Sequence, residues 1–189
     1  MAFLPGFQPP DMVAEDGAAG DEWYTPKWML DWMPPIQLDP CHSKASLVQA
    51  EQTYDVRNGD DGLTASWNVG GSRVVWCNPP FSCTSDWLYK CRVESAANRI
   101  CIVTLVPAVP GELSWHEHVW PHAYLVGFIR GRVVFVNPQG RTEQKGRGHA
   151  LIIYCGDHAL AHTVASHITR MSLNHPQAPV WVYQPWVSP

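Results

Sequence analysis

The tetrapeptide Asn78-Pro79-Pro80-Phe81 holds the residue types needed for chemistry on an amino group. Two prolines, with fixed φ and no N–H, make a stiff turn whose carbonyls face outward as acceptors. The Asn78 amide oxygen adds an acceptor, and with the Pro79 carbonyl it can converge on one donor. An exocyclic amine such as adenine N6 is a poor nucleophile because its lone pair is delocalised into the ring. Acceptors on its hydrogens favour a pyramidal nitrogen and release that lone pair toward an activated methyl group. Phe81 supplies a face on which a base can stack. The same four residues also fit a plain loop with structural prolines and a core Phe, so the tetrapeptide alone does not choose.

A second group is basic. Arg130, Arg132, Arg141, Lys145 and Arg147 gather in and around one loop, where Gly140, Gly146 and Gly148 let the backbone approach phosphates closely. A solvated hairpin loop is the plainer account of the same residues. An enzyme that works on a base within a duplex must extrude it, and a basic loop beside the pocket is one means of holding the distorted strand. Nine histidines invite a metal site, with His116, His118 and His122 in one group and His158 and His162 four apart. The cysteines offer no matching ligand spacing, and transfer of a methyl group to an amine needs no metal, so no metal is expected.

The elements that position these groups follow from periodicity. Thr25-Pro26 reads as an N-cap followed by proline at the first helical position, and Trp28, Met29, Trp32 and Met33 recur at helical spacing until Pro34-Pro35. Ile36-Gln37-Leu38 reads as a strand running into Asp39-Pro40-Cys41, followed by a polar, helix-compatible stretch to about Gln52 and a turn-rich segment over residues 58–62. Val74 to Cys77 is a strand stopped by Asn78-Pro79-Pro80. Ser82 to Ala97 is a helix with Trp87, Leu88, Cys91 and Ala96 facing inward. Ile100 to Val106 has the continuous apolarity of a strand buried on both faces. Strand, helix and strand make a βαβ unit. Strands at Tyr124–Ile129, Arg132–Val136 and Ala150–Tyr154, a helix over 157–173 and an edge strand at Val180–Tyr183 complete the prediction. The result is an α/β domain with a mostly parallel central sheet and a late antiparallel hairpin. In such sheets ligands sit beyond the carboxyl ends of the strands, where Asp39–Cys41 and Asn78–Phe81 both fall.

Composition narrows the classes. With 189 residues, 46% hydrophobic and 16% charged, the chain is neither a disordered tail nor a coiled coil. Residues 1–20 lack a hydrophobic period and read as a flexible leader, with one domain over 21–189. No apolar run reaches the roughly 20 residues of a membrane-spanning helix, and acidic Asp11, Glu15 and Asp16 do not fit a signal peptide, so a cytosolic protein is expected. The six cysteines form no CxxC pair and read as reduced thiols. A net charge of −4 excludes a histone-like coat of positive charge and leaves a local patch as the means of meeting nucleic acid.

The ordered segments Asp21-Glu22-Trp23-Tyr24-Thr25-Pro26, Leu38-Asp39-Pro40-Cys41, Asp61-Gly62-Leu63 with Trp67, and Cys77-Asn78-Pro79-Pro80-Phe81-Ser82 resemble the small DNA N6-adenine methyltransferases of phages and prophages, the Dam-like family. Thr104 to Ala108, Trp115-His116, Phe128 to Arg132 with Phe135, and Ala150 to Tyr154 resemble later segments of that family in the same order, so the likeness spans Asp21 to Tyr154. The resemblance implies a Rossmann-like S-adenosylmethionine-dependent fold with an abbreviated first half, S-adenosylmethionine as methyl donor, and adenine in DNA as acceptor. It implies that Asn78, Pro79, Pro80 and Phe81 are the catalytic turn, and that Trp23, Tyr24, Thr25, Pro26, Asp39, Pro40 and Cys41 build the cofactor pocket. Asp61 is placed near the cofactor's adenine ring, and Asp55 is left unassigned. An acid at a strand end can accept from the donor's ammonium or ribose hydroxyls, and Trp23 or Tyr24 can face its sulfonium. One departure is the stretch Cys41 to Ser46, which lacks the glycine-rich loop that many methyltransferases place after the first strand. Without a large separate recognition domain, short or loose sequence preference is expected. A methyltransferase acting on protein glutamine or RNA, and a catalytically silent DNA-binding phage protein, are the alternatives. For a phage-encoded protein the location is the host cytoplasm.

Overall fold

The computed structural model describes residues 23–68, 70, 73–136, 142–144 and 147–183. The expected leader, Asp21, Glu22, Arg141 and Lys145 lie outside the described residues. In chain order the elements are α1 (Lys27–Leu30), β1 (Ile36–Asp39), β2 (Ala50–Thr53), β3 (Val74–Cys77), α2 (Thr84–Asn98), β4 (Cys101–Pro107), α3 (Leu113–His118), β5 (Leu125–Phe128), β6 (Val134–Val136), β7 (Thr142–Gln144), β8 (His149–Cys155), α4 (His158–Ser172) and β9 (Val180–Tyr183). A seven-stranded sheet runs β2-β1-β3-β4-β8-β5-β9, and β6 and β7 form a separate two-stranded ribbon.

Strand pairing is parallel from β2 through β1 and β3 to β4, and antiparallel from β4 through β8 and β5 to β9. The sheet is therefore mixed, where the buried apolar runs predict a mostly parallel one. The cause lies in the connections. Helix α2 carries the chain from β3 back to a parallel β4, whereas the chain leaves β5 through the β6–β7 hairpin and enters β8 from the opposite end, antiparallel to both its neighbours.

Alternating residues of the central strands bury both faces. Val74, Trp76, Val103, Leu105, Leu151 and Ile153 pack with Met29 of α1 and Val164, Ala165 and Ile168 of α4. Val75, Cys77, Ile102, Val106, Ile152 and Tyr154 pack with Trp87, Leu88 and Cys91 of α2 and Trp115 of α3. Two helical layers around one sheet account for the continuous apolarity of β4.

Three expectations change. The polar stretch before Gln52 contains no described helix and ends in β2, an edge strand held through its backbone to β1, with Ile36 opposite Ala50 and Leu38 opposite Gln52. Pairing here overrides the weak strand propensity of Ala50-Glu51-Gln52. Ala96 is exposed, and the inward stripe of α2 continues through Glu94 and Ser95 instead. A polar residue holds position 94 because its carboxylate accepts from Trp67, Lys90 and Asn98. Finally, Thr142–Gln144 is a strand between the expected strands Arg132–Val136 and Ala150–Tyr154, so the late hairpin is β6 with β7, while β8 joins the main sheet.

Among the described residues no helix is long and apolar enough to cross a membrane.

Candidate active site

Strands β1, β3, β4 and β5 share one direction, and β8 opposes them, so Asp39, Cys77, Pro107, Phe128 and His149 all lie at one edge of the sheet. The Asn78–Phe81 turn leaves β3 at this edge. Pro79 is buried and Pro80 exposed. The Pro80 carbonyl is engaged by the single turn of 3-10 helix over Phe81–Cys83, accepting from the Cys83 N–H at 3.4 Å. Asn78 Nδ2 donates to the carbonyl of Trp23 at 2.8 Å. That bond fixes which way the amide faces, and it leaves Oδ1 buried with no partner among the described residues. A buried acceptor without a donor costs about 1–3 kcal/mol, which singles this oxygen out as the candidate acceptor of the turn.

The Trp23–Pro26 segment is drawn to the turn by this bond and by a second one. Tyr24 N–H donates to the Val136 carbonyl at 2.9 Å, pairing the segment with β6. Tyr24 and Thr25 are buried, and Thr25 Oγ1 has no partner among the described residues. Pro26 occupies the N-cap of α1 rather than its first turn, the helix starting one residue later at Lys27. Separated by more than fifty residues in sequence, the two candidate segments are thus in direct contact.

Asp39 ends β1 with a relative exposure of 2%. Its Oδ1 accepts from the Cys41 N–H at 3.1 Å and its Oδ2 lies 3.2 Å from His42 Nδ1. Burial pushes the carboxyl up to about 6, against the lowering effect of those two hydrogen bonds. The native state therefore holds this proton more tightly than the unfolded chain, so the group's contribution to stability falls as pH rises from about 4 to about 6. Asp39→Asn removes that slope, and denaturant midpoints of both proteins measured across this range give the test; identical slopes would exclude a buried Asp39 proton. Cys41 Sγ lies 3.6 Å from Cys77 Sγ, joining the two strand ends side by side. Burial pushes the Cys41 thiol up, which keeps it protonated.

Asp61 is exposed and caps its own turn, its Oδ1 accepting from Leu63 N–H at 2.9 Å. The turn nevertheless abuts the Asp39–Cys41 turn. A Cβ on Gly62 would meet the Pro40 carbonyl oxygen at 2.1 Å and the Trp87 ring at 2.9 Å, and the Gly62 carbonyl accepts from Trp67 Nε1 at 2.8 Å. Gly62→Ala is expected to lower stability by about 1–3 kcal/mol through this overlap, read as a fall in urea midpoint with unchanged slope. Asp55, just beyond β2, has both carboxylate oxygens engaged by Arg57, at 3.0 Å from Nε and 2.7 Å from the guanidinium terminus, and this pairing lowers its pKa.

Of the basic group, Arg130, Arg132 and Arg147 are exposed. Arg130 and Arg132 flank Gly131, whose φ of 74° suits the turn out of β5. Arg147 pairs with Glu112 at 3.2 Å, and the Gly148 carbonyl beside it accepts from the Ala108 N–H at 2.8 Å, so this arginine stands at the edge that carries the turn. Among the described residues no cluster of three or more His, Cys, Asp or Glu side chains is placed to hold a metal ion. His116 and His118 lie on α3, where His118 packs on Tyr89, and His158 begins α4 against Tyr124.

Two residues at this edge escape a reading of the sequence. His42 touches Asp39 through an i to i+3 spacing that the missing glycine loop leaves as the only local signal. His149 lies against Phe81 across sixty-odd residues, and no local pattern points to it.

No curated protein matches the chain. The model of one family, DNA N-6-adenine-methyltransferase (Dam), matches residues 14–175, a span that takes in every element from α1 to α4 and the Asn78–Phe81 turn. A match of that extent, over a chain whose motif segments meet at one sheet edge, makes this protein a member of the DNA N-6-adenine-methyltransferase (Dam) family.

Proposed function

We propose that the chain transfers a methyl group from S-adenosylmethionine to N6 of adenine in DNA, with Asn78 and the Pro79 carbonyl as the acceptors that orient the amine. The observation that carries this reading is the Asn78 amide, tied through Nδ2 to Trp23 and left with a buried, unpartnered Oδ1. An extruded adenine brings the N6–H that this oxygen lacks. The Pro80 carbonyl is already engaged by the following turn, which favours the Pro79 carbonyl as the second acceptor. Phe81 is half-buried and offers its remaining face to the base.

The residues present fit the cofactor. Thr25 Oγ1 is a buried hydroxyl with no partner among the described residues, and Asp39 is a buried carboxylate at the end of β1, on the sheet edge that carries the Asn78 turn. When bound, S-adenosylmethionine supplies an electrophilic methyl group for direct in-line transfer, with no covalent enzyme intermediate. The Trp23–Pro26 segment and the Asp39–Cys41 turn, through Thr25 and Asp39, bind and orient it, and Asp61 stands on the turn pressed against Pro40. The sheet is then the Rossmann-like methyltransferase sheet with an abbreviated first half, since β1 and β2 are joined without a described helix. Arg130, Arg132 and Arg147, together with Arg141 and Lys145, serve as phosphate contacts that set position rather than sequence.

The test is label transfer. Purified protein is given S-adenosylmethionine labelled in its methyl group with unmodified plasmid DNA, RNA or mixed protein, and the DNA is digested to nucleosides. N6-methyl-2′-deoxyadenosine from DNA is the expected product, scattered over short or loosely related sites. Label confined to protein or RNA, or no transfer at all, would refute the proposal.

A further inference from the structure

The geometry points to His149 as a positioning residue that sets the orientation of Phe81, the ring on which the target base stacks; this rests on the reading of the Asn78–Phe81 turn given above. His149 opens β8 opposite Pro107 of β4, at the edge where the turn leaves β3. Its side chain points to the same face as Leu151 and Ile153, where the Phe81 ring also packs. Three rings meet there. Phe81 lies 5.3 Å from His149 and 5.8 Å from Phe135, centroid to centroid, and Phe135 lies 4.9 Å from His149. The interplanar angles are 77° between Phe81 and Phe135 and 65° between Phe135 and His149, both edge-to-face.

Phe81 needs such bracing. It begins the short 3-10 turn Phe81–Cys83, a single turn with no side-chain cap, and a half-buried ring on so short an element has few other constraints on its rotamer. The relative exposure of His149 is 1%, and its Nδ1 has no partner among the described residues. Burial pushes the imidazole down to about 4, so at neutral pH the ring is uncharged and packs as an aromatic. Uncharged, the imidazole meets both Phe81 and Phe135 through its ring, and it is this aromatic shape that the site uses.

The experiment measures methyl transfer to unmodified plasmid DNA by wild type, His149→Leu, His149→Phe, Phe81→Leu and the Phe81→Leu/His149→Leu double variant. Donor binding and thermal midpoint are recorded for each. His149→Leu keeps volume but removes the ring, and kcat/KM for DNA is expected to fall about tenfold while donor affinity stays within about twofold. His149→Phe restores the ring and should recover most of the loss. In the Phe81→Leu background, His149→Leu should cost almost nothing further, because its effect passes through that ring. Full activity in His149→Leu, equal damage in His149→Phe, or additive losses in the double variant would each overturn the inference while leaving the proposed function standing. If His149→Leu does not fold, His149→Phe and a Phe81→Leu/His149→Phe pair decide it, since loss of activity in a folded His149→Phe protein contradicts a role for ring shape. Absence of any transfer by wild type refutes the proposed function and this inference with it.

Discussion

Asn78→Ala is expected to reduce methyl transfer to DNA by about 10²-fold or more, with donor binding weakened by less than about tenfold. The size follows from what the side chain does in the proposed reaction. Its Oδ1 accepts from N6 as that nitrogen becomes pyramidal, an interaction stronger in the transition state than in the bound substrate, and loss of one such partner costs about 10²- to 10³-fold. The fold already holds this oxygen ready, because the 2.8 Å bond from Nδ2 to the Trp23 carbonyl prevents the amide from turning over. Alanine removes that tether as well. Donor binding therefore weakens a little, since the Trp23–Pro26 segment loses its tie to the Asn78 turn and keeps its bond to Val136. Single-turnover transfer rates and donor dissociation constants, measured on the same folded preparation, separate the two effects. Near-wild-type transfer would remove Asn78 from the chemistry.

The second large effect is on stability. Glu94 sits within α2, 8% exposed, yet it is satisfied on both oxygens. Oε2 accepts from Trp67 N–H at 3.0 Å and from Asn98 Nδ2 at 2.6 Å, and Oε1 accepts from Lys90 Nζ at 2.6 Å. Lys90 in turn donates to the Ala65 carbonyl at 2.7 Å. This network ties the segment that begins with Asp61 and Gly62 to the helix behind it. Glu94→Ala leaves the buried Trp67 N–H without its acceptor and the Lys90 ammonium without its carboxylate, with the Ala65 carbonyl still bound to it, and removal of one partner from a buried pair costs about 3–5 kcal/mol. Chemical denaturation should show the loss. Glu94→Gln keeps the acceptor for Trp67 and should lie between wild type and alanine, whereas an unchanged midpoint in the alanine variant would mean that the network contributes no stability.

Much of the fold can be read from the chain because local physics decides it. The stretch at Val74–Cys77, the proline stop and the helix that follows are dictated by a continuous apolar run and by proline chemistry, and β3, the turn and α2 lie close to where those patterns put them. The edge strand β9 falls at Val180–Tyr183 as its pattern predicts. Where local signals are weak, tertiary pairing decides. Ala50–Thr53 becomes β2 only because β1 offers an open edge, and Glu94 and Ser95 replace Ala96 on the inner face because partners wait there for the carboxylate.

The candidate site divides in the same way. The types and order of its residues are a property of the sequence alone: two acceptors on a stiff proline turn, an acid at a strand end, an aromatic beside them, and a family likeness carried by short segments. Their meeting is not. The contact of Trp23 with Asn78, the closeness of Gly62 to Pro40, and the packing of the His149 ring against Phe81 each join residues far apart in the chain. They arise from strand order and direction, which depend on how the whole sheet buries its two faces rather than on any local pattern. The same holds for the proton on Asp39, since only burial in the assembled sheet sets its affinity.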